Sequence, residues 1–150
     1  MKKVLLAVAL LASTTFAFAT DVGVFGGRNM GSKQDAVGVS VGQSFGKFGV
    51  QGTFDRSTIG PIDVNRYTTS VSYDVVKLGP VQTNVRAGAA FIDTQKPGVG
   101  NGGAGFVGAG VAYQVVKNVN LVADYAYQKG NNITKAYDGN IVTAGVKYSF

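Results

Sequence analysis

The chain contains no cysteine, no histidine and no tryptophan, and all 8 of its acidic residues are aspartate. Without cysteine there is no disulfide framework and no thiolate metal site. Without histidine, cysteine or glutamate, the side chains that most often serve as general base or activated nucleophile are missing, so no enzymatic activity and no cofactor are expected. Proline is scarce at 3 residues and charged residues make up only 15%. Beyond the N-terminus no stretch approaches the roughly 18 consecutive apolar residues of a membrane helix.

Glycine is abundant at 22 residues, but 45% hydrophobic content argues for an ordered chain rather than a solvated coil. The length of 150 residues fits one domain. Lys2 and Lys3, an apolar run from Val4 to Leu11, and Ala17-Phe18-Ala19 form the three parts of a cleavable signal peptide. The expected division is a signal peptide over 1–19 and a barrel domain over 20–150. Removing Lys2 and Lys3 lowers the formal charge from +6 to +4.

From Ala36 onward the mature part alternates with period 2, as strands do because successive side chains leave opposite faces. Val37, Val39, Val41 and Phe45 share a face opposite Gly38, Ser40, Gly42 and Ser44. The pattern recurs over Phe48–Asp55, Arg66–Val75, Val81–Phe91, Val107–Val115, Val119–Gln128 and Val142–Phe150. With a first strand near Asp21–Arg28, whose outward face is either Val22 and Val24 or Phe25, the strands number eight. Tight turns near Lys47, Lys77 and Lys117 alternate with longer connectors at Asn29–Asp35, Ser57–Val64, Thr94–Gly103 and Gly130–Gly139. Short periplasmic turns alternating with longer outer loops are the pattern of a transmembrane barrel. The turn lysines are expected to reach periplasmic headgroups.

Two arguments put the apolar face outside. An eight-stranded lumen holds only packed side chains, which suits the Gly, Ser and Thr of the other face. Aromatics of the apolar face also gather at the strand ends: Phe45, Phe48, Tyr73, Tyr113, Tyr148 and Phe150 at one end, Phe54, Tyr67, Phe91, Tyr125 and Tyr127 at the other. Aromatic rings bracketing an aliphatic belt mark two membrane interfaces. Strands of about 11 residues tilted near 45° match an apolar band about 25 Å tall. The expected fold is all-β, an eight-stranded antiparallel up-and-down transmembrane β-barrel. The competing reading is a secreted β-sandwich or other soluble periplasmic β-protein, recoverable without detergent.

The signal peptide, the eight alternating strands and the ending Val146-Lys147-Tyr148-Ser149-Phe150 resemble the small outer-membrane β-barrel superfamily. That group includes the opacity-type proteins, outer-membrane protein X and the transmembrane domain of outer-membrane protein A. The resemblance implies residence in the bacterial outer membrane. It also implies that Tyr148 and Phe150 form the signal presented to the outer-membrane assembly machinery. Adhesive members carry longer outer loops than this chain, which weighs against an adhesin.

On the face assigned to the lumen stand Asp55, Arg66, Asp74, Arg86, Asp124 and Lys147, three acids and three bases. Lone buried charges cost several kcal/mol, so paired signs are expected. Arg86 and Asp124 fall at similar depth, and Asp74 and Lys147 near the periplasmic rim. Such pairs make either a static plug or a narrow channel for small ions or solutes, and the plug is the leading expectation. Arg28, Lys33, Arg56, Lys96, Lys129 and Lys135 lie in or near the outer loops, where they suit lipopolysaccharide phosphates. Barrels of this kind that deacylate or transfer lipid chains rely on a histidine base, which is absent here. Gly98-x-Gly100-x-x-Gly103 matches a dinucleotide fingerprint only formally, since no helix follows it. The basic pI lacks a stacking platform for nucleic acid. The expected protein is a monomer.

Overall fold

The structure, a computed structural model, describes residues 21–59, 62–94, 101–131 and 134–150. The signal-peptide segment, Lys96, Gly98 and Gly100 lie outside these residues. The strands are β1 (Asp21–Asn29), β2 (Gln34–Phe45), β3 (Phe48–Ile59), β4 (Ile62–Leu78), β5 (Val81–Thr94), β6 (Gly102–Val116), β7 (Val119–Gly130) and β8 (Gly139–Ser149). Each pairs antiparallel with its sequence neighbour, and β1 pairs with β8 to close the barrel. Closure satisfies every edge of the sheet, a necessity for backbone in lipid.

The turns at one end are tight because their residues permit it. Gly46 (φ +64°) and Gly79 (φ +57°) take left-handed conformations with open space around them. Asn118 (φ +71°) does the same in the third turn, as asparagine tolerates. At this end the paired strands also carry bulges, between Asp74 and Val76 on β4 and between Gln114 and Val116 on β6. Each bulge falls in an apolar doublet, Val75-Val76 or Val115-Val116, and leaves both valines exposed.

At the other end the strands run further than the alternation predicts. The expected loop Ser57–Val64 is mostly ladder, with Ser57 opposite Val64 and Thr58 opposite Asp63. Likewise Gln34 and Asp35 belong to β2, and Gly102 and Gly103 to β6. Lys77 and Leu78, expected in a turn, extend β4 to 17 residues. Polar side chains that pair across strands hold a ladder together in water as well as in lipid, so leaving the apolar band does not end a strand.

The apolar face points outward. Val71, Val111 and Val146, which a soluble fold would bury together, are all exposed, and Val37 and Val107 are 70% and 61% exposed. On β1 the outward residue is Val24, and Phe25 turns in against Gly38 and Gly145. The aromatics form cross-strand pairs on this surface: Phe48 with Tyr73 and Phe54 with Tyr67, each with ring centroids 5.1 Å apart. Phe54, Tyr67 and Phe91 occupy one row of paired positions. A belt of exposed valine, leucine and alanine between aromatic ends is a surface for lipid. No described helix is long and apolar enough to cross a membrane.

Candidate functional site

Inward-facing positions line a cavity of about 210 Å³ that runs from the Asp21–Lys147 level to the Asp55–Arg66 level. Three ion pairs cross or flank it. Nearest the tight turns, Lys147 Nζ lies 3.0 Å from Asp21 Oδ1, across the β8–β1 seam. The sequence pattern gives no signal for Asp21, because the phase of the first strand is ambiguous. Asp74 lines the same cavity, but Asp21 rather than Asp74 is the described partner of Lys147.

Higher up, Arg86 Nη1 on β5 reaches across β6 to within 3.6 Å of Asp124 Oδ1 on β7. The strand between makes way for them: a Cβ on Gly110 would stand 2.2 Å from Asp124 Oδ1. The Thr143 hydroxyl donates to Asp124 Oδ2 at 3.5 Å, and the Arg86 guanidinium stands 5.8 Å from the centre of the Phe106 ring. Above that, Arg66 Nε donates to Asp55 Oδ1 at 2.9 Å between directly opposed positions of β3 and β4. Its Nη1 crosses the lumen to Gln128 Oε1 on β7 at 3.2 Å.

The outer end is different in kind. Val64, Ala90, Ile92 and Ala104 form a buried apolar cluster inside the barrel, with Tyr137 packed on it. Phe106, Ala126 and Ile141 are buried as well. This corrects the expectation that only small and charged residues are enclosed. The signal was present in the sequence as apolar doublets: Phe91-Ile92, Phe106-Val107 and Ile141-Val142 each send one residue to lipid and the other inside.

Above this cluster a short 3-10 turn, Lys135–Tyr137, folds over the mouth. The Tyr137 carbonyl accepts from Asn29 Nδ2 at 2.9 Å and from Gln128 Nε2 at 3.2 Å. Thr134, fully buried, donates its hydroxyl to the Gly103 carbonyl at 2.9 Å. Burial raises the Tyr137 phenol above its ordinary pKa. Over its described residues the longer connector Gly130–Gly139 is thus a packed cover.

The basic residues assigned to the outer surface do not form one cluster. Arg28 and Arg56 stand on the outer wall, Arg28 3.7 Å from Asp35 and Arg56 hydrogen-bonded to Asp63. Lys33 sits in the β1–β2 turn, Lys129 near the end of β7, and Lys135 in the 3-10 turn; all three are exposed. Lys47, Lys77 and Lys117 are exposed at the opposite end, Lys47 lying 6.0 Å from the Tyr73 ring centre. Phe150 is exposed and meets Tyr148 edge-on at 5.1 Å. Among the described residues no group of three or more acidic side chains is placed to hold a metal.

Neither a protein-family model nor a curated protein sequence matches the chain. Solved structures do. The N-terminal β-barrel domain of Pseudomonas aeruginosa OprF is similar with a TM-score of 0.71 at 19% identity, over 88% of this chain and 98% of that one. Neisserial surface protein A gives 0.60 at 19% identity, over 87% and 94%. The outer membrane enzyme PagL gives 0.55 at 11% identity, over 85% and 97%. Identities this low speak to architecture alone. The chain has the small eight-stranded fold of the bacterial outer-membrane β-barrels, and its lipid-facing belt makes the wall membrane-spanning.

Proposed function

We propose that this protein is a structural outer-membrane barrel, closed to conduction, whose outer surface contacts lipopolysaccharide. The observation that carries the reading is the filled lumen. Arg66 joins Asp55 to Gln128 across the bore, and the apolar cluster around Ile92 lies beyond them under the Tyr137 cover. A continuous water path would have to break all of these at once. An unpaired buried charge costs several kcal/mol, so the open state is a minor one.

The lipopolysaccharide contact is supported by the exposed cations Arg28, Lys33, Arg56, Lys129 and Lys135 at the outer end. Guanidinium and ammonium groups pair with phosphate at such an interface. A non-enzymatic role is supported by the side-chain inventory, which lacks histidine, cysteine and glutamate. The fold does not decide that point, since PagL shares it.

Planar-bilayer recording tests the closed barrel. The folded protein gives no steady openings; reproducible single-channel steps that change with Arg86→Ala would establish the narrow channel instead. Electrophoretic mobility that shifts on boiling checks that the sample is a folded barrel.

A further inference from the structure

The outer wall is not evenly bulky. Outward positions on β1 run Val22, Val24, Gly26, Arg28, and Gly26 is flanked by Val37 on β2 and Ala144 on β8. Where a residue without a side chain stands beside the protruding Val24 and Val37, the wall is hollowed. A Cβ built on Gly26 would meet no atom closer than 3.9 Å. The groove is walled by Val24, Val37, Val39, Phe54, Ala144 and Val146, and among the described residues the one charged side chain lining it is Arg56. Arg28 follows Gly26 by two residues on the same face, at the groove's outer end.

We propose that this groove holds a fatty-acyl chain of a phosphorylated outer-leaflet glycolipid, with Arg28 and Arg56 on its phosphate. The inference rests on the lipopolysaccharide-contact reading and names where that contact is made. Its argument is complementarity along one axis: apolar walls at membrane depth, guanidinium groups at the outer rim. A neutral lipid would fill the hollow and leave the arginines unused. Both arginines have aspartate neighbours, but these do not exhaust them. The Arg28–Asp35 separation of 3.7 Å is longer than a hydrogen bond. Arg56 meets Asp63 through one of its nitrogens, and a guanidinium carries five donors. Exposed ion pairs contribute little and yield to a phosphate that accepts two parallel hydrogen bonds.

The test is binding of bis-phosphorylated lipid A to the folded barrel in detergent, read by native mass spectrometry, alongside the same lipid stripped of phosphate. Gly26→Leu fills the hollow, and Ala144→Leu fills it from β8 should the first variant fold poorly. Either is expected to weaken binding roughly tenfold, the loss of about two methylenes of burial. Arg28→Gln with Arg56→Gln weakens the phosphorylated lipid and leaves the stripped one unchanged. Gly105→Leu, three strands away on β6 where a Cβ would meet nothing within 4 Å, leaves binding unchanged. If the unaltered barrel binds lipid A and neither hollow-filling variant weakens it more than Gly105→Leu does, the groove is refuted while the lipopolysaccharide contact stands. If the unaltered barrel does not bind lipid A, both fail.

Discussion

Gln128 joins the lumen to the loop above it: its side-chain oxygen accepts from Arg66 at 3.2 Å, and its nitrogen donates to the Tyr137 carbonyl at 3.2 Å. At 1% exposure it has no water to fall back on. The charge network and the outer cover therefore share one side chain, and a change in either is felt by the other.

Replacing Gln128 by alanine strands a guanidinium donor and leaves the Tyr137 carbonyl with Asn29 alone. The cost is about 1–3 kcal/mol for the partners left unsatisfied. Urea titration of the barrel in lipid measures it. Limited proteolysis should cut near Lys135 faster in the variant; equal rates would show that the cover does not depend on Gln128.

Arg66→Ala leaves the Asp55 carboxyl, whose side chain is 4% exposed, without its ion-pair partner. About 3–5 kcal/mol of stability is lost, the usual result of removing one member of a buried pair. Removing both charges together with Asp55→Leu restores part of it. A double variant as unstable as the sum of the singles would mean that the two groups do not interact.

Glycines differ by face. A Cβ on Gly145 would stand 2.3 Å from the Val24 carbonyl, at the β1–β8 seam, whereas Gly105 opens onto lipid. Gly145→Val is expected to lower refolding yield and abolish the heat-dependent mobility shift, while Gly105→Val keeps both. Similar yields for the two would contradict the inward placement of Gly145.

The β3–β4 hairpin beyond the aromatic row responds to acid. Hydrogen bonds from Arg56 and then Thr58 hold Asp63 below the usual carboxylate range. A lowered folded-state pKa contributes stability that is present above the ordinary carboxylate value and lost as pH falls through the lower folded value. The pair is exposed, so the effect is small and screened by salt. Amide exchange at Thr58 and Asp63 should rise over that acid window, and Asp63→Asn should remove the dependence.

How much of this was legible in the sequence follows from where alternation is clean. Through Ala36–Phe45 and Val81–Phe91 only one face is bulky, so strands, their phase and the outward direction could all be read. It failed at apolar doublets, because adjacent bulky residues admit two outcomes that pattern alone does not separate. Val75-Val76 keeps both residues outside by a bulge, whereas Phe91-Ile92 sends Ile92 inward to 1% exposure. The missing information is what each residue meets across the barrel. Asp21 escapes the pattern as well, because the phase of β1 is ambiguous and its partner Lys147 is distant in sequence, adjacent only once β1 meets β8.

The sequence by itself determined the strand count, the antiparallel hairpin order and the lipid-facing surface, since these depend on local period and on turn residues such as Gly46 and Gly79. Closure decided the rest. Which acid meets which base, the apolar filling around Ile92 and the cover over the mouth depend on side chains approaching across a bore from strands far apart in the chain. Their depth is fixed by the stagger of the ladder, a property of the closed barrel that no single strand carries.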